Sequence, residues 1–321
     1  YAAAGLGQAA VLALFVRRGL FTAGSFGKGR ERAGELAAAA LLPVAATLLS
    51  TMFAVSDAFW AARLPPAGLS HLNLAVRITV PIAAIVTTGV ATVSFPRIAA
   101  LSAARRGEDV RREVGLLLVR GLAMLGPLAA VGVALREPAI RLLLGRGAFL
   151  ATDEQALVAL LPAYLLGMVA VGVSNALVRT FFATGRSTLA AAIGITATLA
   201  YFALSGLLVR GGAAAIAWVY AGIWTATALV QVGALGRHLG GIVGRDGSIA
   251  LLRALGATTA AGVVAGAAWR LLGAPAPGRP ALPSLVVAGG LGLIAAFVVG
   301  PRRQVAVEPP VQVAPGPPGL P

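Results

Sequence analysis

Apolar stretches long enough to cross a lipid bilayer recur along the whole of this 321-residue chain. A membrane-spanning helix needs about 20 mostly apolar residues, because the hydrocarbon core is about 30 Å thick and an α-helix rises about 1.5 Å per residue. Nine segments qualify, the first of them short: 1–16, 36–62, 71–94, 115–135, 155–183, 188–209, 212–236, 248–272 and 282–300. The sequence therefore predicts an all-α, polytopic transmembrane helix bundle of about nine spans.

The composition narrows the possible functions. Hydrophobic residues make up 58% of the chain and charged residues 12%, and there is no cysteine, so disulfides and thiolate metal sites are excluded. No phosphate-binding loop, dinucleotide fingerprint, nucleophile elbow or zinc-binding HExxH helix occurs, so we expect neither an enzyme nor a bound cofactor or metal. The net charge of +15 lies mainly between the apolar stretches. It therefore favours anionic membrane lipids as partners and not nucleic acid.

The distribution of positive charge predicts the orientation in the cytoplasmic membrane. With the segments 17–35 and 95–114 in the cytoplasm, the inner loops hold fifteen Lys and Arg residues and the outer loops six. The C-terminus is then cytoplasmic. The outer loop 136–152 is an exception to this charge bias, since it contains several arginines. The exception is explained if 137–144 forms a helix at the membrane surface whose arginines reach the headgroups. The amphipathic segment 96–114 predicts a similar surface helix on the inner side.

The sequence at the two ends of the chain leads to two further expectations. The chain begins with Tyr1 and not with Met, and nine spans with a cytoplasmic C-terminus place this residue outside. We therefore expect a fragment whose N-terminal portion is missing. The proline-rich segment 301–321 predicts a disordered tail, because proline cannot continue a helix and the composition is of low complexity.

Ionisable residues within the spans are the first candidates for function, since each costs at least about 2.5–3.5 kcal/mol on insertion scales. Arg77 suits a phosphate or pyrophosphate in a central cavity, and the alternative is an anchor that reaches the outer surface. Pro81 lies four residues later and frees a backbone carbonyl there. Asp57 ends the apolar run TLLSTMFAVSD, and it either pairs with an arginine, senses protons or an ion, or stabilises helix packing.

Two amides and a second arginine complete the candidate site. Asn73 and Asn175 either contact a substrate or hydrogen-bond across helices, which is the common role of amides in lipid. Asn175 and Arg179 are one helical turn apart and share a face. Arg179 is near the inner end of its span, where headgroup contact is the simpler function. Arg120, Arg253 and Arg270 lie near span ends and are interpreted as surface anchors.

Four segments of the chain carry a family likeness. They are DAFWAARLPPAGLSHLNLAVR (Asp57–Arg77), GVATVSFPRIAAL (Gly89–Leu101), EPAIRLLLGRGAF (Glu137–Phe149) and RTFFATGRST (Arg179–Thr188). Together they resemble the MurJ/MviN family of lipid II flippases. The likeness covers about residues 1–240, and the motifs follow the family's order and spacing. Departures from the pattern occur at Val76, Val80, Pro81 and Arg186, and they bear on lipid II as the substrate more than on the fold.

The resemblance implies a fourteen-helix fold of the multidrug/oligosaccharidyl-lipid/polysaccharide (MOP) exporter superfamily. Residues 1–35 would end the preceding lobe and its linker, 36–240 would form the C-terminal six-helix lobe, and 241–300 would add two helices. By motif, Arg77 matches the cavity arginine thought to contact the pyrophosphate of the lipid, and Asp57 matches the acidic position opposite it. The resemblance thus implies that this chain is the C-terminal portion of a flippase.

The expected function is transport of an undecaprenyl-pyrophosphate-linked glycan, lipid II first, for cell-wall synthesis by alternating access. Export of another lipid-linked saccharide is one alternative. A non-transporting membrane scaffold that recruits cell-wall synthesis proteins is the other. A cavity lined by cations favours the two transport functions over the scaffold.

Overall fold

The computed structural model describes residues 52–53, 55–64, 67–144, 150–242, 245–272 and 282–300. These residues form helices joined by short turns, and no strand occurs among them. A helical segment at 55–61 comes first. Eight α-helices follow: α1 Gly68–Ala103, α2 Gly107–Ala134, α3 Arg136–Leu144, α4 Ala151–Ala183, α5 Ser187–Leu208, α6 Gly212–Leu239, α7 Arg245–Leu272 and α8 Leu282–Val299.

Six helical runs in this part of the chain are long and apolar enough to cross a membrane. One of them, Ser187–Leu239, contains α5 and α6, which are separated by the 3₁₀ turn Val209–Gly211 and by Gly212 with φ 78°. The helices therefore coincide with the predicted spans from 71–94 onward. The predicted span 1–16 and most of 36–62 lie outside the described residues, so the described helices do not establish the predicted number of nine.

The short helix α3 confirms the helix predicted at 137–144, whereas the surface helix predicted for 96–114 is wrong. The helix α1 continues through Pro96 to Ala103, and α2 begins at Gly107 after a turn in which Arg105 has φ 55°. A proline removes only the hydrogen bond to the carbonyl four residues earlier, so a long apolar helix can pass through it. The segment is thus shared between two long helices. The predicted tail 301–321 is not part of the described structure.

Threonine side chains satisfy their own hydrogen bonds within the helices. The hydroxyls of Thr79 and Thr87 donate to the carbonyls of Ala75 and Ala83, one turn earlier, and Thr180 bonds in the same way to Ala176. In an apolar environment an unpaired hydroxyl is unfavourable, and this local bond removes the penalty. These threonines are therefore compatible with a lipid-embedded bundle.

The helix α4 is the centre of the bundle, with α1, α2, α5 and α6 packed around it. Its residues Leu157, Tyr164, Leu177 and Phe181 are completely buried. Glycines allow the close packing, since a Cβ on Gly167 would lie 2.7 Å from the ring of Tyr220. Burial on nearly all sides explains why α4 is apolar around most of its circumference.

The last two helices, α7 and α8, form a hairpin that packs on α2. Small residues line the contact: the alanines Ala257, Ala261 and Ala265 of α7 are buried, and a Cβ on Gly292 of α8 would lie 2.6 Å from the carbonyl oxygen of Ala261. Small side chains let helix backbones approach closely, which is the usual basis of helix packing in membranes.

The bundle has two ends, which we name after a residue at each. At the His71 end, His71 of α1 and Asp153 of α4 are 2.9 Å apart, so both helices start there and run parallel. At the Arg105 end, the turn around Arg105 joins α1 to α2, and the guanidinium of Arg111 donates to the carbonyl of Gly240 after α6. These contacts place the ends of four helices, α1, α2, α4 and α6, relative to one another.

Candidate functional site

A stripe of exposed polar residues runs along α1. Its members recur every three or four residues or at multiples of that spacing, so they share one side of the helix. They are Ser70, Asn73, Arg77, Thr88 and Thr92, and Pro81 and Ala84 occupy the positions between. The exposed apolar residue Ile85, 75% exposed, borders this stripe, and Val93, 68% exposed, lies farther round the helix. The helix α1 thus presents an apolar face, as lipid requires, beside a stripe whose polar groups lipid would disfavour.

Arg77 is exposed and lies in the part of this stripe that is nearer the His71 end. No carboxylate in the described part of the chain forms an ion pair with it. Because Pro81 has no N–H, the carbonyl of Arg77 lacks its usual helical partner. Asn73 lies one turn away on the same side. A guanidinium, a side-chain amide and an unpaired carbonyl are therefore close together on an accessible surface.

Asn175 and Arg179 are exposed on α4, although this helix is otherwise deeply buried. Ala176, Leu177 and Thr180, which lie between and beside them, are all buried. As predicted from their spacing, the two polar residues share a face. Among the described residues no acidic side chain pairs with Arg179.

The exposed polar residues of α1 and α4 lie on the same side of this helix pair. The helix α2 covers the other side: its Glu113 contacts Arg97, which points about 160° away from Arg77 by helical periodicity. The contact of Gly172 with Thr87 shows where α4 meets α1, and Asn175 follows within one turn. The structure therefore assembles one polar face from two helices that are about 100 residues apart in sequence.

Asp57 lies on the helical segment 55–61 and contacts α5. Its carboxylate accepts a hydrogen bond from the hydroxyl of Tyr201 on α5. Aromatic rings surround the pair, with Phe53 stacked on Tyr201 at 4.9 Å and on Trp224 at 5.0 Å between ring centroids. No arginine pairs with Asp57 among the described residues. The contact joins the segment 55–61 to α5, which agrees with a role in helix packing.

A buried carboxylate at the Arg105 end was not singled out from the sequence. Glu113 is 4% exposed, and its oxygens lie 3.4 Å from Nε of Arg97 and 3.6 Å from an Nη of Arg120. Arg120, which the sequence suggested as a surface anchor, thus has an acidic partner on its own helix, one that lies toward the start of α2. A spacing of seven residues places Glu113 and Arg120 on one face of a helix, and this was the available signal.

The described residues thus form a polytopic bundle of membrane-length helices with one exposed, arginine-bearing polar face. The chain belongs to the lipid II flippase MurJ family, whose model matches residues 2–273. The resemblance seen in the sequence is thereby confirmed. Members of this family are flippases, which move a lipid and do not convert it chemically.

Two solved structures are similar to this chain. One is a lipid II flippase MurJ in an inward closed conformation, with a TM-score of 0.66 and 16% identity over 78% of this chain and 50% of that one. The other is a MOP superfamily transporter from Pyrococcus furiosus, with a TM-score of 0.54 and 16% identity over 81% of this chain and 62% of that one. At these identities the likeness shows the fold alone. No curated protein matches the chain.

Proposed function

We propose that this chain is part of a flippase that moves lipid II from the inner to the outer leaflet of the cytoplasmic membrane for cell-wall synthesis. Family membership and the membrane-length helices support this function. In this proposal residues 36–240 form a six-helix lobe, 241–300 add two helices, and 1–35 end a preceding lobe. Two lobes that rock about a central cavity would give alternating access.

The exposed arginine on α1 carries the proposal. Arg77 lies on a polar stripe, and no acidic residue in the described part of the chain pairs with it. An arginine in this position is unfavourable in lipid unless an anion or water contacts it. Its planar guanidinium can donate two parallel hydrogen bonds to the oxygens of a pyrophosphate. Asn73 adds an amide donor one turn away. We assign this pair to the substrate pyrophosphate.

We propose that the Arg105 end of the bundle faces the cytoplasm. In the described residues, arginines at this end include Arg97, Arg105, Arg106, Arg111, Arg112, Arg120, Arg179, Arg186, Arg237 and Arg245, and those at the His71 end include Arg63, Arg77, Arg136, Arg141, Arg210 and Arg270. Positive residues are enriched on the cytoplasmic side of membrane proteins. The Arg105 end would also attract anionic lipid headgroups.

The test replaces Arg77 in the intact protein and measures lipid II on the outer leaflet at equal expression. Arg77→Ala should abolish translocation and leave membrane insertion unchanged. Arg77→Lys should recover little, because an ammonium lacks the planar fork that holds two oxygens. The matched control is Arg210→Ala, which removes another exposed arginine at the same end. Normal translocation by both Arg77 variants would make this residue a headgroup anchor and contradict the assignment.

A separate measurement is needed to identify the glycan of the substrate, because the guanidinium recognises phosphate and not the glycan. The departures at Val76, Val80 and Arg186 are the observation that favours another lipid-linked saccharide. The wild-type protein in vesicles should translocate lipid II faster than undecaprenyl pyrophosphate linked to an unrelated sugar. The reverse preference would identify an exporter of another lipid-linked saccharide, and no translocation of either would favour the scaffold.

A further inference from the structure

The same five-residue pattern occurs on both helices of the polar face. On α1 it is Asn73-Leu-Ala-Val-Arg77, and on α4 it is Asn175-Ala-Leu-Val-Arg179. In each case the asparagine and the arginine are exposed, whereas Ala75 on α1 and Leu177 on α4 are completely buried. The amide and the guanidinium are one turn apart, so each pair can contact one ligand.

The two pairs lie near opposite ends of the face. The helices are parallel, and Thr87 of α1 lies level with Gly172 of α4, because a Cβ on this glycine would be 3.1 Å from the threonine hydroxyl. Arg77 is ten residues from Thr87 toward the His71 end, and Arg179 is seven residues from Gly172 toward the Arg105 end. At 1.5 Å per residue the arginines are about 25 Å apart along the helices, close to the thickness of a hydrocarbon core.

Arg77 and Arg179 differ from other arginines of the bundle in their charge pairing. Arg97 and Arg120 contact Glu113, and Arg141 contacts Glu154 at 2.5 Å. No carboxylate of the described chain pairs with Arg77 or Arg179. An arginine and an amide without an acidic neighbour form a donor set that fits the oxygens of a phosphate.

We propose that Asn175 and Arg179 form a second phosphate-binding site, which receives the pyrophosphate of the lipid-linked substrate at the Arg105 end before it reaches Asn73 and Arg77. The inference rests on the proposed function and adds an entry site to it. The exposed hydroxyls of Thr88 and Thr92 lie along α1 between the two sites. They provide hydrogen-bond partners for a polar headgroup that crosses the apolar bundle.

The experiment counts lipids bound to the intact protein by native mass spectrometry, with undecaprenyl pyrophosphate as the probe. The wild type should bind two equivalents. Arg179→Gln and Arg77→Gln should each bind one, and the double variant none. Arg179→Lys keeps the charge and the same membrane insertion, and its site should bind about tenfold more weakly, equivalent to about 1.4 kcal/mol. The matched control, Arg112→Gln, removes an exposed arginine at the same end on α2 and should still bind two.

Two competitors identify what the site recognises. Excess inorganic pyrophosphate should displace the probe, because the phosphate oxygens are the recognised group. Phosphatidylglycerol at the same concentration should not. Two bound equivalents in Arg179→Gln, or displacement by phosphatidylglycerol as effective as by pyrophosphate, would overturn the second site and leave Arg179 as a general lipid anchor. The flippase function itself fails separately, namely if the wild type translocates no lipid II.

Discussion

At the scale of single residues, two carboxylates depend on side-chain partners, namely the half-buried Asp57 and the buried Glu113. Asp57 accepts a hydrogen bond from Tyr201, and Glu113 lies between Arg97 and Arg120. An acid that loses its partner in an apolar bundle keeps the full cost of desolvation. Loss of either contact should therefore lower the free energy of unfolding by a measurable amount.

Replacing Tyr201 by Phe removes the one side-chain donor to Asp57 among the described residues. We expect the free energy of unfolding to fall by about 1–3 kcal/mol, because the carboxylate of Asp57 remains half-buried without this donor. Thermal unfolding in detergent provides the measurement. The matched control is Tyr164→Phe, since the hydroxyl of Tyr164 has no hydrogen-bond partner in the described structure and its loss should have almost no effect. Equal effects of the two variants would contradict the assigned role of the Tyr201 hydrogen bond.

Glu113→Gln leaves the two arginines at the Arg105 end without their shared carboxylate. Because both guanidiniums are about one quarter exposed, we expect a moderate loss of about 1–3 kcal/mol and not the larger loss of a fully buried pair. Urea unfolding of the protein in micelles would quantify it. Glu108→Gln, which changes an exposed acid on the same helix, is the control and should be nearly neutral. No difference between the two would show that the ion pairs contribute nothing to stability.

At the scale of the helices, the close approach of α7 and α8 depends on particular glycines. A Cβ on Gly292 would lie 2.6 Å from the carbonyl oxygen of Ala261 and 2.9 Å from the Cβ of Ala265. Backbone atoms cannot move aside as a flexible side chain can. The hairpin must therefore open to accept even one methyl group.

Gly292→Ala should accordingly destabilise the hairpin by about 1–3 kcal/mol, as overpacking does. The neighbouring Gly290→Ala is the matched control, because no atom lies within 4 Å of its added Cβ and alanine is the better helix former. Limited proteolysis of the loop between α7 and α8 would report the opening. Faster cleavage in Gly290→Ala than in Gly292→Ala would contradict this packing.

At the scale of the whole molecule, the orientation of the bundle decides which leaflet each arginine pair faces. The native chain has no cysteine, so single cysteines can be introduced without background labelling. Ala103→Cys lies at the Arg105 end and Thr152→Cys at the His71 end, and both positions are exposed. In intact cells an impermeant thiol reagent should label Cys at position 152 and not at 103. The opposite result would reverse the orientation and exchange the proposed entry and exit sites.

Span length and short motifs were enough to predict the helices from α1 onward and the family. The sequence also placed Asn175 and Arg179 on one face, since residues four apart in a helix always share a side. The surface helix predicted for 96–114 failed for a local reason: amphipathic spacing does not show whether a long helix stops at a proline or continues through it, as α1 does at Pro96.

Which helices pack together cannot be derived from the sequence and follows from the fold. The contact between Asp57 and Tyr201 joins residues 144 positions apart, and the polar face combines α1 with α4, which are about 100 residues apart. Such contacts depend on side-chain shape, on glycines such as Gly172 and Gly206, and on the order in which helices pack around α4. Periodicity within one helix contains no information about the rotation of its neighbour. The two arginine pairs could therefore be found in the sequence, but their placement on one side of the bundle required the fold.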